Sequence, residues 1–155
     1  MRLAYYRVST ADQSIEAQRH AMGGTFDREF SDGDRVQVES DDAVPGPSGC
    51  PALRVTAHTG AWVYSGPFAT PWGFDRHTAS IHVRGTWDGT LSVIGPKSHL
   101  CAAIPLKLSE SGWQRVELPF KPVLAAPSHS LRLQGGGVLW LDGLQVERGE
   151  TASPY

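Results

Sequence analysis

Five aromatic side chains carry most of the chemistry this sequence could do. Trp62, Tyr64, Trp72, Phe74 and Trp87 could each lay a flat apolar face on the C–H side of a sugar ring, with polar neighbours for the hydroxyls. Trp72 and Phe74 fall among Thr70, Pro71 and Gly73, a loop composition, and Trp87 falls between Gly85 and Gly89, which reads as a turn. Large aromatics more often pack in the core of a small sandwich, and a loop position leaves Trp72 and Trp87 open equally to packing and to ligand contact. Arg76, His58 and Asp88 are the candidate polar partners. Trp113 and Trp140 stand in alternating strand patterns and read as core. The six histidines are scattered, and none pairs with a Cys or acid at metal-ligand spacing. Cys50 and Cys101, the only cysteines, read as two reduced thiols. A bridge between them would need an exported or virion-surface setting.

The elements that must hold these aromatics are short strands. Residues 35–39, 53–57, 61–64, 79–84, 90–94, 113–120, 130–134 and 138–146 alternate apolar and polar side chains, the period of a half-buried strand, and residues 100–108 contain another. The stretch 85–89 reads as the turn of a hairpin joining 79–84 to 90–94. Gly 17 and Pro 11 are spread along the chain, as many turns require. Roughly eight to ten strands at this spacing predict a mainly β fold, an antiparallel sandwich or barrel. Hydrophobic residues make up 40% of the chain and charged residues 19%, enough apolar surface for a packed core. The formal net charge is −2 and the arginines are scattered, which argues against nucleic acid as the main partner. No run of about 18 apolar residues is present to span a membrane, and the apolar run near Met1 is too short for a signal-peptide core.

The start of the chain reads differently. Residues 3–8 form an apolar strand pattern, and Thr10 with Gln13 fits a capping box. Residues 14–22 read as a thin amphipathic helix ended by Gly23 and Gly24. The run Tyr6, Arg7, Val8, Ser9, Thr10, Ala11, Asp12, Gln13 and the helix after it resemble the opening of serine site-specific recombinases of the resolvase/invertase family. The resemblance implies that Ser9 attacks a DNA phosphodiester and that Arg7 helps bind the scissile phosphate. It covers residues 1–32. The family's later arginine-bearing helix, dimer helix and helix-turn-helix domain have no counterpart, so Ser9 would lack the site that phosphoryl transfer depends on. The expectation is a recombinase-like unit over 1–33 and a separate β domain over 34–155, with DNA a partner only under a truncated-recombinase alternative.

The closing stretch from Leu139 to Tyr155, with Leu139, Trp140, Leu141, Asp142 and Gly143 followed by Gln145, Glu147 and Gly149, resembles the last strand of galactose-binding-like jelly-roll modules. Residues 77–84 and 111–118 agree with the same pattern. Such modules recur among carbohydrate-binding modules and phage tail or fibre proteins. The resemblance implies an antiparallel jelly-roll β-sandwich over 34–155 that binds carbohydrate or another protein without catalysis. It also puts Asp142 where a structural calcium can be held, but no partner ligand is identifiable and Asp142 beside Gly143 reads in preference as a strand-end turn. The remaining alternative is a structural or virion jelly roll that packs against other subunits.

Overall fold

The computed structural model describes residues 26–68, 70, 75–109, 112–123 and 129–154, with residues 26–30 described through their backbone. The expected strand at 3–8, the helix at 14–22, and Arg7, Ser9, Trp72 and Phe74 lie outside these residues. Among the described residues seven strands form antiparallel pairs: β1 (Phe26–Ser31), β2 (Val36–Pro45), β3 (Pro51–Ser65), β4 (His77–Ile94), β5 (Leu100–Leu108), β6 (Gln114–Phe120) and β7 (Ser130–Arg148). The order is β1-β3-β7-β4-β5, with β2 also on β3 and β6 also on β4. This is an antiparallel β-sandwich, one of the two architectures that the alternation predicts, in the jelly-roll form that the resemblance of the closing stretch implies.

Three strands are longer than the sequence suggests, and each serves both layers. Residues 36–41 of β2 pair with 52–57 of β3, and residues 77–83 of β4 pair with β6. Beyond the middle, β3 instead meets β1, and residues 87–94 of β4 pair with β5. β7 runs between β3 and β4 through both halves. The first layer is therefore β2, β6 and one half each of β3, β4 and β7. The second is β1, β5 and the other halves.

Glycine is what allows this crease. Gly137 has φ +130°, and a Cβ there would stand 2.1 Å from the Thr86 carbonyl oxygen. A Cβ on Gly89 would stand 1.9 Å from that of Gln134. Only a residue without a side chain lets β4 and β7 pass this closely while bending. The stretch 85–89 is consequently a bend inside one continuous strand, not a hairpin turn. Segments 79–84 and 90–94 lie end to end, and both pair with β7.

One face of the creased sheet lines the interior of both layers. Leu53, Val55, Ile81, Val83, Leu139 and Leu141 supply the first half, and Val63, Leu91, Val93, Leu131 and Leu133 the second, all buried in one cluster. Each fully buried side chain of this size contributes about 1.5–3 kcal/mol. The sheet also takes in β1, which hydrogen-bonds to β3 from residues that the sequence placed in the N-terminal unit. The Asp32–Gly33–Asp34 turn expected there is a short 3-10 turn, Gly33–Arg35.

Candidate functional site

With odd-numbered residues of β3, β4 and β7 facing inward, the even ones of the second layer form its outer face. Register fixes two rows across it. Tyr64 stands opposite Arg132, Arg132 opposite Ser92, and Ser92 opposite Ala103. Trp62 stands opposite Gln134, Gln134 opposite Thr90, and Thr90 opposite Pro105. Four strands about 4.8 Å apart make each row about 14 Å long. Trp62 and Tyr64, two residues apart on β3 and both half-buried, pack edge to face, with ring centroids 5.4 Å apart and planes at 73°. At the β5 end the rows finish in the exposed Ala103 and Pro105. The result is a platform with aromatic faces at one end, small residues at the other and polar groups between.

Those polar groups are not all satisfied. Ser92 is 1% exposed, and its Oγ has no hydrogen-bond partner among the described residues. The Nε of Arg132 is buried and likewise makes no hydrogen bond. A buried polar group left in this state costs about 1–3 kcal/mol.

The other expected site residues fall elsewhere. Trp87 sits mid-strand in β4, opposite Leu108 on β5, and is 2% exposed within the core cluster. The turn expected around it does not exist, so its ring packs inside and offers no stacking face. His58 is exposed at the β3 irregularity, away from Trp62. Arg76 pairs with Glu150 at 3.4 Å. Asp88 is on the platform face, one row beyond Thr90, beside Lys107 at 3.9 Å. Trp113 is half-buried just before β6. Trp140, expected in the core, instead lies half-buried on the first layer's outer face, where its Nε1 donates to Asp41 at 3.0 Å. That bond holds the Asp41 carboxyl below the usual carboxylate range.

Asp142 is a strut. It is 2% exposed, and its two oxygens accept from Ser48 N at 2.7 Å and Ser48 Oγ at 2.8 Å. This ties the β2–β3 connection to β7. Both Asp142 oxygens are thus taken by Ser48 donors, and among the described residues no three His, Cys, Asp or Glu converge. Cys50 and Cys101 are half-buried thiols not joined by a disulfide, and burial pushes the Cys101 thiol up. A separate cleft of about 640 Å³ lies between the β4–β5 turn and Val123, lined by Pro96, Lys97, Ser98, His99 and Leu100. Among the described residues its lining holds no Trp, Tyr or Phe.

The platform's polar members, Thr90, Ser92, Arg132 and Gln134, were not singled out in the sequence. Their alternation was visible, but only the register shows that they share a face with Trp62 and Tyr64.

No protein-family model matches the chain, and no curated protein does. Solved structures match its fold. The CBM22-1 xylan-binding domain of Xyn10C from Paenibacillus barcinonensis is 12% identical, with TM-score 0.58, over 86% of this chain and 90% of that one. The carbohydrate-binding module CBM6cm-2 of lichenase 5A from Cellvibrio mixtus, solved with cellotriose, is 14% identical, with TM-score 0.55, over 83% and 98%. CsCBM6-3 from Clostridium stercorarium, solved with cellobiose, is 17% identical, with TM-score 0.50, over 93% and 98%. The fold class is thus the β-sandwich found in carbohydrate-binding modules. The resemblance of residues 1–32 to recombinases finds no support in these comparisons.

Proposed function

We propose that this chain is a non-catalytic module that binds carbohydrate on the outer face of its second layer. The observation that carries the reading is the Trp62–Tyr64 edge-to-face pair, set beside the unsatisfied Ser92 Oγ and Arg132 Nε. The rings supply the apolar surface that a pyranose face requires, and the row of Gln134 and Thr90 supplies hydroxyl partners. The fold's likeness to modules solved with cellotriose and cellobiose supports it. Trp72 and Phe74 remain proposed contacts on the strength of the sequence alone.

The test is affinity electrophoresis and titration against soluble polysaccharides. Trp62→Ala and Tyr64→Ala should each weaken retention tenfold or more, about 1.4 kcal/mol, while the fold is kept. Retention unchanged in both, but lost in Trp72→Ala, would move the site to the loop. Retention unchanged in all three would refute the reading.

A further inference from the structure

Among the seven arginines whose side chains are described, five are paired, and Arg132, the platform's one arginine, is with Arg84 one of two that are not. Arg35 pairs with Asp32, Arg54 with Glu39 and Asp41, Arg76 with Glu150, and Arg148 with Asp75. Arg115 donates to Ser80 and Gln145. Arg132 is half-buried with no ion pair or hydrogen bond among the described residues, and its Nε is buried. In the same row, directly opposite it on β4, lies the buried and unsatisfied Ser92 Oγ. On its other side is Tyr64. Asp88, the acid on this face of β4, lies four residues from Ser92 beside Lys107.

A partly desolvated cation with no counter-charge is unfavourable on its own. A guanidinium fork matches a carboxylate with two parallel hydrogen bonds, and such bonds are about twice as strong as neutral ones. We propose that the saccharide bound on this platform is acidic. Its uronate carboxylate, or a sulfate ester of the same charge, would be held by the half-buried Arg132 guanidinium, with a neighbouring ring packed on Trp62 and Tyr64. This rests on the platform being the carbohydrate site. One cation defines one acidic subsite, so the fitting polymer carries isolated acidic residues in an otherwise neutral chain, not a continuous polyanion.

The test is isothermal titration of the full chain with neutral tetrasaccharides that carry a single galacturonate, glucuronate or mannuronate residue, each beside its carboxyl-reduced neutral counterpart, and with a carrageenan tetrasaccharide that carries one sulfate. At least one acidic tetramer should bind tenfold or more tighter than its neutral counterpart, with the difference shrinking as salt is raised. A carboxylate preference and a sulfate preference are separated by the carrageenan arm, and either supports the proposal. Arg132→Gln should erase the preference while leaving neutral binding intact, and Arg132→Lys should restore part of it. Trp62→Ala should lose acidic and neutral ligands together. Equal affinity for acidic and neutral tetramers, or a preference unchanged in Arg132→Gln, would overturn the acidic subsite and leave the carbohydrate reading standing. Binding of none of these ligands would overturn both.

Discussion

The two outer faces of the sandwich use similar residues for different ends. On the first layer, Trp140 donates to Asp41, and Arg54 bridges Glu39 at 2.6 Å and Asp41 at 3.4 Å. Asp142 anchors Ser48, and Glu147 accepts from Ser153 N at 2.8 Å and Oγ at 2.5 Å. Thr78 Oγ1 donates to the Gly149 carbonyl at 2.8 Å. These bonds bind the β2–β3 connection and the C-terminal tail across the sheet. They explain how Asp142 and Glu147 come to be 1–2% exposed, and the Arg115 guanidinium does the same for Gln145. On the second layer, an aromatic pair, an arginine and a buried serine stand together, and the Arg132 Nε and Ser92 Oγ make no hydrogen bond among the described residues, a state that only the Nε of Arg115 shares among the arginines of the first layer. Polar groups that are answered internally hold the chain in place. Polar groups left unanswered beside flat aromatic surface suit a ligand that brings the missing partners.

Substitutions can break this contrast in order of size. Trp87→Ala empties a core site and should cost about 3–5 kcal/mol in chemical denaturation, with no selective effect on saccharide binding among molecules that still fold. Gly137→Ala forces β7 off β4 at the crease and should cost about 3 kcal/mol by the same measurement, because a Cβ has no space beside the Thr86 carbonyl. Asp142→Ala frees the Ser48 donors and should cost about 2 kcal/mol while leaving affinity unchanged. Trp62→Ala should show the reverse pattern, with affinity down tenfold or more and stability within about 1 kcal/mol of the parent.

A smaller effect comes from the far end of the core. His77 and His129 are both fully buried, and each lies about 6 Å from the Phe120 ring. Burial lowers the pKa of both, and His77 lowers that of His129 further. The folded state therefore resists their protonation while the unfolded chain accepts protons near pH 6.5. Stability should be full above about pH 6.5 and fall as the pH drops through and below that value. Urea denaturation across this range should give a flatter profile in His129→Phe than in the parent. An identical profile would show that the imidazoles stay neutral in both states or are charged in both.

Much of the fold was legible because alternation reports burial directly. The pattern at 35–39, 53–57 and 130–134 places Val36, Val55, Leu131 and Leu133 inside, as observed. What failed was continuity. The glycines at 85 and 89 read as turn residues, yet here they relieve the close crossing of two strands, and local sequence does not tell a bend from a reversal. That error carried Trp87 from the core to an imagined loop tip. The shift in register between Ser80 and His82 hid a second feature. After it Leu144 and Val146 face inward, and Gln145 and Glu147 turn to the polar network. For the site, Trp62 and Tyr64 were visible as aromatics, but Arg132 and Ser92 gain meaning only from cross-strand register, a long-range property.

The direct comparison of the two faces is a backbone-amide NMR titration with whichever saccharide binds in the retention assay. Shift changes should cluster at Trp62, Tyr64, Thr90, Ser92, Arg132 and Gln134, with Arg54, Arg115 and Trp140 unmoved. Changes centred on Arg54, Arg115 and Trp140, with the Trp62 row silent, would contradict the assignment of binding to the second layer.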